Sequence, residues 1–482
     1  MAGKGVSPFN ENRYKELLEG LEVSEVRLLE IMKFSLLRLE AEFYNAKSFN
    51  LKNPLTGSEI IDFVQYGTSK ELNENNIGYP ILRLNEFESS FISEPRKYCS
   101  IIDNATFNSL KLLKNDVLVC RTNGNAKYVG KSAIVPKNYE FAYASYLFKI
   151  RPKRSLINSS TLVTYLNSKY GRIEIEKYSM ASNQVNFSPA KFRQLRIPRF
   201  SSDFNSKIEG NTYDAFNLLT LSKQKYANAE QLLLQELGLD NFKPTTQNIN
   251  TLSFSQSFGS SGRLDAEYYQ PKYEQIEERL TVFEQMRIDD LFKVLSNSSP
   301  KKYIDSGIKV IKTKNVRIPT PVIDSIRDFT EITENPLQAN DLLFASMGVG
   351  SLGRVSILLD IEQELTTDGT IKILRTKEQH KGLNHEIPTM LFLTSHIGQE
   401  IIYKHVIGST GIISIRKPDV MKILIPIASA GIREKLSALV VESIRLKKQS
   451  QQLLQVAKQA VEIAIEQSEA AAMAFIERET NM

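Results

Sequence analysis

The stretch that decides the fold of this chain occurs twice, first as Arg38-Leu-Glu-Ala-Glu-Phe-Tyr-Asn45 and again as Arg263-Leu-Asp-Ala-Glu-Tyr-Tyr-Gln270. The two copies lie 225 residues apart (263 − 38), and every difference between them is conservative. An offset of this size is far longer than the repeat of a solenoid protein. The chain therefore contains two copies of a domain-sized unit.

More pairs of similar segments follow in the same order and at nearly the same offset. They are Gly78–Asn85 with Gly307–Lys314, Asn115–Val119 with Asn340–Phe344, Tyr165–Ser168 with Phe392–Ser395, and Leu195–Pro198 with Ile423–Pro426. One such match could arise by chance, whereas an ordered series indicates duplication. Two copies of one fold suit a ligand with dyad symmetry of its own, such as a bipartite site in duplex DNA.

Each copy begins with a globular part that reads as short strands between turns. In the first copy the predicted strands are Pro80–Leu84, Val117–Cys120, Ser132–Val135 and Tyr146–Ile150. A helix is predicted over Ser159–Glu176, because apolar residues recur there at helical spacing. Both globular parts close on a strand-like run that ends in Ile-Pro, at Pro198 and Pro426.

A helical part with one apolar seam follows each globular part. Asp214–Leu237 carries apolar residues at intervals of seven, with Gly238 as its C-cap, and Arg433–Gln467 carries the same pattern. The first helix would be roughly 36 Å long at 1.5 Å per residue, close to the roughly 34–36 Å of one turn of B-DNA. The alanine- and glutamate-rich tail, Gln467–Met482, either extends the second helix or frays.

These patterns predict an α+β chain: two similar globular domains, separated by long coiled-coil-like helices, in an internal pseudo-twofold repeat. The predicted parts are an N-terminal extension at 1–29, domain 1 at 30–200, a central spacer helix at 203–240, domain 2 at 255–428, a C-terminal spacer helix at 430–470 and a tail at 471–482.

Positive charge is concentrated in one region of the chain. The 482 residues carry a net charge of +6, yet Lys111–Arg199 alone holds 17 Lys and Arg against 4 Asp and Glu, a local balance of +13. Charged residues often only solvate a surface, but an excess of this density creates a strong positive field whose natural partner is a polyphosphate.

The composition excludes several other classes of protein. Hydrophobic residues make up 41% and charged residues 24%, as in an ordinary globular protein, and no apolar run reaches the roughly 18 residues of a membrane span. Met1–Arg13 is polar, unlike a secretory signal, and the two cysteines, Cys99 and Cys120, give no disulfide framework. We therefore expect a cytoplasmic protein without membrane contact. The four histidines lack metal-site spacing, so no metal is expected.

Several segments together resemble the specificity subunits of type I restriction–modification systems. They are Arg263–Tyr273, Lys114–Thr122, and Tyr165–Ser168 leading to Ser182-Asn-Gln-Val-Asn-Phe-Ser188 and Arg196–Pro198. The resemblance extends from about Leu29 to Glu466 and includes the duplicated order of domain, helix, domain, helix. The second copy departs from the pattern with Ser409-Thr-Gly-Ile-Ile-Ser-Ile415, where the first has an Asn- and Gln-rich run.

The resemblance implies a non-catalytic subunit that recognises a bipartite duplex target. Each globular unit would be a target-recognition domain contacting one half-site, and the two long helices would pack antiparallel and set the gap between the half-sites. The implied partners are double-stranded DNA, two adenine-N6 methyltransferase (M) subunits and, for cleavage, two restriction (R) subunits. No cofactor is expected in this chain, and S-adenosylmethionine, ATP and Mg would serve the partner subunits.

Candidate DNA contacts are Lys and Arg for phosphates, and Arg, Asn and Gln for bases. In the first copy they are Arg121, Lys127, Lys131, Asn183, Gln184, Asn186, Lys191, Arg193 and Arg196. In the second copy they are Lys301, Lys302, Lys312, Lys314, Arg317 and Arg354, where 301–317 holds six basic residues against one acidic. Each of the three amides has an alternative role in capping or turn chemistry.

Two motifs suggest enzymatic functions that their context does not support. Gly348-Val-Gly-Ser-Leu-Gly353 fits the dinucleotide fingerprint, but a strand-like run, Arg354–Leu359, follows it instead of a helix. Such a loop either lets the backbone approach a phosphate or turns a hairpin. Asn53-Pro-Leu and Asn335-Pro-Leu lack the second proline and the aromatic residue of an amino-methyltransferase motif. The paired aromatics, Phe43-Tyr44 and Tyr268-Tyr269, are interpreted as packing anchors.

Three alternative functions remain open at this point. The first is a DNA-recognition subunit of a related type II or methylation-based phage-defence system. The second is a methyltransferase with a degenerate cofactor motif, and the third is a coiled-coil scaffold. Cofactor binding by the chain alone would favour the methyltransferase, and a lack of salt-sensitive DNA affinity would favour the scaffold.

Overall fold

The structure, a computed structural model, describes residues 10–21, 23, 25–32, 39, 43–44, 49–68, 70–179, 185–300, 302–408 and 413–480. The chain divides into two units. Unit 1 comprises Met1–Leu218 and Gln449–Met482, and unit 2 comprises Leu219–Lys448. Within the described residues, none of the helices combines the length and the apolar character needed to cross a bilayer.

Unit 1 contains eleven of the strands described. They are β1 Leu55–Thr56, β2 Ile61–Tyr66, β3 Tyr79–Leu82, β4 Phe87–Glu88, β5 Phe91–Ile92, β6 Lys97–Cys99, β7 Val117–Cys120, β8 Ser132–Ile134, β9 Ala142–Tyr143, β10 Leu147–Pro152 and β11 Arg196–Ile197. Its helices before the spacer are α1 Glu11–Leu18, α2 Leu28–Ile31, α3 Gly57–Ile60, α4 Asn104–Leu110, α5 Ser159–Asn167, α6 Lys169–Ser179 and α7 Pro189–Phe192.

The main sheet of unit 1 has six strands in the order β2-β10-β7-β8-β5-β4. Its centre is β7, whose four residues, Val117–Cys120, are all buried because they pack on both faces. A three-stranded sheet, β6-β3-β9, and the pair β1-β11 complete the domain. The four predicted strands are confirmed with small shifts in their ends, and the predicted helix over Ser159–Glu176 is divided in two at Ser168.

Unit 2 repeats this plan with fewer strands. The strands are β12 Gln285–Arg287, β13 Phe292–Leu295, β14 Ile308–Ile311, β15 Phe329–Thr330, β16 Asp341–Ala345, β17 Val355–Leu358, β18 Leu365–Thr367, β19 Ile371–Thr376 and β20 Leu424–Pro426. The short helices are α9 Phe258–Ser261, α10 Pro271–Leu280, α11 Ile288–Leu291, α12 Glu386–Thr394, α13 His396–Lys404 and α14 Lys417–Lys422. The sheets have the orders β13-β19-β16-β17, β15-β14-β18 and β12-β20.

The repeat is visible at the level of single hydrogen bonds. Asn115 and Asn340 both adopt the left-handed conformation, with φ of 71° and 67°, two residues before β7 and one residue before β16. The next residue in each copy is a buried aspartate that accepts a bond from an arginine Nε at 2.9 Å, in the pairs Asp116–Arg151 and Asp341–Arg375. The duplication inferred from the sequence is therefore a duplication of structure.

Two long helices, α8 Ser202–Glu236 and α15 Ala430–Glu466, each run through both units, and α16 Glu469–Thr480 follows. In unit 1, Ser450 Oγ donates to Ala215 O at 2.6 Å, and Ser201 N donates to Glu469 Oε1 at 3.0 Å. From the first bond to the second, the residue number falls from 215 to 201 in one segment and rises from 450 to 469 in the other, so the two segments are antiparallel. In unit 2, Ser222 faces Ser443. The chain is thus α+β with antiparallel spacer helices, as predicted.

The spacer helices are longer than the heptad pattern predicts. The first begins at Ser202, twelve residues before the heptad pattern starts at Asp214 and one residue before the predicted spacer at 203–240. Ser201 Oγ accepts a hydrogen bond from Phe204 N at 3.2 Å and caps the additional turns. It ends as predicted at Gly238, which is left-handed with φ of 57°. The tail is helical after a break at Gln467–Ser468, and Ala472 and Ile476 are buried there.

Candidate nucleic-acid interface

The loop that follows β7 in unit 1 is held between two other segments. Arg121 N donates to Tyr146 O at 2.8 Å, and Phe187 N donates to Arg121 O at 2.8 Å. The neighbouring residues Thr122 and Asn186 form an isolated antiparallel bridge. Segments far apart in sequence therefore converge at this end of the sheet.

An open groove of about 380 Å³ lies at this convergence. It is lined by Leu84, Asn85, Thr122, Asn123, Gly124, Tyr146 and Val185. Burial raises the pKa of Tyr146 to about 12, so its phenol keeps its proton at neutral pH. The groove thus presents amide, hydroxyl and phenol groups, and none of these carries charge at neutral pH.

Arg121 and Asn186 are each adjacent in sequence to a residue that lines this groove, Thr122 and Val185, and each has an unpaired polar atom. The Arg121 guanidinium lies 5.3 Å from the centroid of the Tyr66 ring, which restricts its orientation. In the part of the chain that the structure describes, Arg121 Nε and Asn186 Oδ1 are buried without a hydrogen-bond partner. Buried polar atoms in proteins are nearly always paired, and these are two of the nine unpaired side-chain atoms among the described residues.

The remaining predicted cations of unit 1 differ in their surroundings. Lys127 and Arg193 are exposed. Lys191 Nζ donates to Asn186 O at 2.8 Å, and Lys131 is half-buried, so burial lowers its pKa. The exposed Lys127 and Arg193 are available to phosphates. Lys191 instead bonds the local backbone, and Lys131 is partly shielded from solvent.

Arg196 makes a structural ion pair. Its guanidinium bonds the carboxylate of Glu174, which is fully buried, and donates to Phe49 O at 3.2 Å. Burial alone would lower the pKa of Arg196, but Glu174 outweighs it and raises the pKa. Arg196 thereby ties β11 to α6, and its role in DNA contact stays a prediction.

Three predicted contact residues, Asn183, Gln184 and Lys301, lie outside the described residues. The same holds for Ser409–Ile412, most of the segment in which the second copy departs from the first.

Unit 2 builds the same backbone scaffold from different side chains. Ser346 N donates to Thr370 O at 2.9 Å, Ile415 N donates to Ser346 O at 3.0 Å, and Met347 and Ser414 form the bridge. Each of these bonds has its counterpart in unit 1 at the repeat offset. The scaffold is therefore common to both copies, and the side chains on it are not.

The glycine-rich loop of unit 2 joins two antiparallel strands, β16 and β17. Gly348, Gly350 and Gly353 have φ of 101°, 75° and 81°, a region that other residues rarely adopt. A strand follows the loop, as predicted, so the helix required by the dinucleotide fingerprint is missing here. The loop turns a hairpin, and phosphate approach to its backbone stays a prediction.

The basic stretch of unit 2 is partly neutralised by Asp328. Lys312 Nζ and Lys314 Nζ lie 3.0 and 3.4 Å from its carboxylate, and Lys312 also lies 3.8 Å from the Tyr303 ring centroid. Burial alone would raise the pKa of Asp328, but the two lysines outweigh it and lower the pKa.

The other described cations of this set are Lys302, Arg317 and Arg354. Lys302 and Arg317 are exposed, and Arg354 donates to the carbonyl of Gly350 within the glycine-rich loop.

Sequence reasoning missed four groups at these sites: Tyr66, Asn85, Tyr146 and Asp328. Tyr66 ends β2 and Tyr146 immediately precedes β10, and no motif in the sequence indicated either of them. Asp328 lies eleven residues beyond Arg317 (328 − 317) and reaches the lysines only through the pairing of β14 with β15.

The paired aromatics pack, as predicted. Phe43 is buried, and its ring centroid lies 5.4 Å from that of Tyr178 at the end of α6. In the second copy Tyr268 lies 5.9 Å from His405, one residue after α13. The aromatic pair thus contacts the equivalent helix end in each copy.

Comparisons with known proteins agree with this architecture. The chain is 23% identical over 311 residues to the EcoKI type I restriction enzyme specificity subunit of Escherichia coli, covering 63% of this chain and 62% of that protein. It is 27% identical over 171 residues to a putative MjaX specificity subunit of Methanocaldococcus jannaschii, covering 34% and 40%. It is 25% identical over 144 residues to the StySPI specificity subunit of Salmonella potsdam, covering 30% and 31%.

The homologues of this chain are specificity subunits of type I restriction enzymes. The resemblance inferred from the sequence motifs is therefore confirmed. The chain spans less than two thirds of the length of each of these specificity subunits. No family model matches it.

Solved structures of specificity subunits also match most of the chain. The S subunit of the type I restriction–modification system of M. genitalium is 12% identical, with a TM-score of 0.42, and covers 86% of this chain and 96% of that one. The HsdS subunit of Thermoanaerobacter tengcongensis is 12% identical, with a TM-score of 0.28, and covers 88% and 99%.

Proposed function

We propose that this chain is the DNA-recognition subunit of a type I restriction–modification system. It binds a bipartite duplex target in a sequence-specific manner, and each unit contacts one half-site. The observation that carries the proposal is the repeated scaffold at the ends of β7 and β16, where the backbone is the same and the side chains differ. One fold presenting two sets of side chains is suited to two different half-sites.

Exposed cations around each scaffold support binding to phosphates. Lys127 and Arg193 are exposed in unit 1, and Lys302 and Arg317 in unit 2. Each cation that neutralises a phosphate releases a counterion, so affinity should fall steeply with salt. Because Asp328 neutralises part of the charge at Lys312 and Lys314, we propose that unit 1 supplies more of the sequence-independent affinity.

The chain directs the chemistry of partner subunits and performs none itself. The proposed partners are two adenine-N6 methyltransferase subunits and, for cleavage, two restriction subunits. S-adenosylmethionine, ATP and Mg are bound and used by those partner subunits. The domains at 30–200 and 255–428 recognise DNA, and the helices at 203–240 and 430–470 set the spacing between half-sites.

Selection from a library of random duplexes tests the proposal. The full chain should enrich two short blocks of defined sequence that are separated by a gap of fixed length. Its affinity should decline linearly on a plot of log affinity against log salt concentration. Enrichment of no sequence would contradict the proposal, and binding of S-adenosylmethionine by the chain alone would indicate an enzyme instead.

A matched pair of double variants tests the unequal role of the units. Replacing Lys127 and Arg193 by alanine should reduce the salt slope by about two, because each contact contributes about one. Replacing Lys312 and Lys314 should reduce it by less, because Asp328 already neutralises part of their charge. Equal reductions would show that both units contribute equally to non-specific affinity.

A further inference from the structure

We infer that Arg121 and Asn186 determine the base sequence of one half-site, and that their positions in the second copy hold no equivalent reader. The inference rests on the proposed function and assigns base recognition to one place in unit 1. It is carried by the side chains that differ between the two scaffolds.

The two scaffolds can be compared position by position because their backbone bonds coincide. Arg121 corresponds to Ser346, because Arg121 N donates to the residue just before β10 and Ser346 N donates to the residue just before β19. Their carbonyl oxygens accept from Phe187 N and Ile415 N, respectively. Asn186 corresponds to Ser414, because Asn186 forms a β-bridge with Thr122, the residue after Arg121, and Ser414 forms one with Met347, the residue after Ser346. Two long polar side chains in unit 1 therefore stand where unit 2 has serines.

The hydroxyl of Ser346 is hydrogen-bonded in unit 2, whereas a polar atom at each of the two positions is unpaired among the described residues of unit 1. In unit 2, Ser346 Oγ donates to Thr370 O at 2.9 Å. In unit 1, among the residues described, Arg121 Nε and Asn186 Oδ1 are buried without partners. Leaving such an atom unpaired is unfavourable, because the atom has lost its hydrogen bonds to water. A ligand that supplies the missing partners would remove this cost.

The chemistry of the two residues fits base edges. Arginine donates two parallel bonds to the O6 and N7 atoms of guanine, and asparagine pairs with N6 and N7 of adenine. The Tyr66 ring restricts the Arg121 guanidinium, and the groove lined by Asn85, Asn123 and Tyr146 adjoins the same loop. A half-buried, oriented guanidinium suits a base, whereas the exposed Lys127 and Arg193 suit phosphates.

The test replaces each residue with the one that unit 2 carries at the same backbone position. Arg121→Ser and Asn186→Ser, made in the full chain, introduce serine, the residue that the same backbone scaffold carries at these positions in unit 2. In duplex selection, each should erase the preference at one or two base pairs of a single half-site, roughly 5- to 150-fold. The other half-site and the gap should stay the same.

Two further variants separate base reading from charge. Arg121→Lys keeps the positive charge but loses the forked donor geometry, so it should lose the base preference as Arg121→Ser does. Arg193→Ser should weaken binding to all duplexes equally and lower the salt slope by about one. Circular dichroism and thermal unfolding confirm that each variant is folded.

The outcomes distinguish this inference from the proposed function. If the wild-type chain selects a bipartite sequence but Arg121→Ser and Asn186→Ser weaken all sequences equally, the assignment is wrong and the proposed function stands. Full retention of base preference by Arg121→Lys would also overturn the assignment of Arg121 to base reading. If the wild-type chain selects no sequence, both the inference and the proposed function fail.

Discussion

Ser222 and Ser443 exchange hydrogen bonds across the spacer helices of unit 2. Ser222 Oγ donates to Ser443 O at 2.7 Å, and Ser443 Oγ donates to Ser222 O at 2.8 Å. Both side chains are buried, and the residues lie 221 positions apart (443 − 222), close to the repeat offset. The exchange brings the two backbones close together, which only a small side chain permits.

Substitution of Ser443 should therefore depend strongly on size. Ser443→Ala removes one buried donor and should lower the free energy of unfolding by about 1 kcal/mol. Ser443→Leu also forces extra atoms into a closed interface, at an additional cost of about 1–3 kcal/mol. Urea unfolding measures both, with Gln224→Ala on the exposed face of α8 as the control. Equal losses for alanine and leucine would show that the helices are not in close contact.

The apolar seam of the spacers was predictable because heptads depend only on sequence spacing. Leu219, Leu233 and Leu446 are buried as the pattern requires. The first twelve residues of α8 (214 − 202) carry no heptad pattern, because they are mostly polar and contain Gly210, although the predicted spacer at 203–240 includes all of them but Ser202. They are helical owing to the Ser201 cap and to the burial of Phe204 and Ile208, which depends on tertiary packing.

Glycine has opposite roles at two helical positions of unit 1. At Gly171 in α6 an added Cβ would lie 2.0 Å from the carbonyl oxygen of Tyr165, so Gly171→Ala should destabilise the chain by about 2–4 kcal/mol. At Gly210 in α8 an added Cβ would have no neighbour within 4 Å, so Gly210→Ala should stabilise it by about 0.5–1 kcal/mol. Thermal unfolding of both variants tests this. A destabilising Gly210→Ala would show that α8 is not helical there.

Burial lowers the pKa of His405 to about 4, with Lys404 contributing in the same direction. The other groups that act on it are Arg263, which also lowers the pKa, and Asp419 and Glu277, which raise it. The folded chain thus keeps His405 neutral down to about pH 4, whereas the unfolded chain binds a proton near its ordinary pKa of about 6.5. Protonation therefore favours unfolding between these two pH values.

The free energy of unfolding should then fall as the pH is lowered from about 6.5 to about 4, by up to about 3 kcal/mol from this group. His405→Gln should flatten the pH dependence of the urea midpoint measured between pH 7.5 and pH 4.5. His396→Gln, at an exposed position, is the matched control. An unchanged pH profile in His405→Gln would show that this histidine is accessible to protons in the folded chain.

The site was predictable as a region but not as a set of side chains. The basic run and the Asn-rich segment indicated the loops after β7 and before α7, where Arg121 and Asn186 now lie together. From the sequence alone, Arg196 and Arg193 were equal candidates for contact with DNA. Only the structure shows that Arg196 bonds a buried glutamate while Arg193 is exposed, because Glu174 is on a different helix. Glu174 was counted in the charge balance of 111–199, but a charge count does not show which cation pairs with it once the chain folds.

The spacer role predicts how the DNA target changes when the helices are lengthened. Because α8 and α15 are antiparallel within each unit, both need the same insertion, between 218 and 219 and between 448 and 449, where the units meet in sequence. Seven helical residues in each add two turns, about 10 Å, which corresponds to roughly three base pairs at 3.4 Å per step.

Duplex selection should then yield the same two half-sites with a gap longer by about three base pairs. Seven residues inserted in the exposed segment at 247–252 are the control, and they should leave the gap unchanged. An insertion in one spacer helix alone breaks the pairing of the buried serines and should lower stability without defining a new gap. If the doubly lengthened chain selects the original gap, these helices do not set the spacing, whereas changed half-sites would place base reading on the helices themselves.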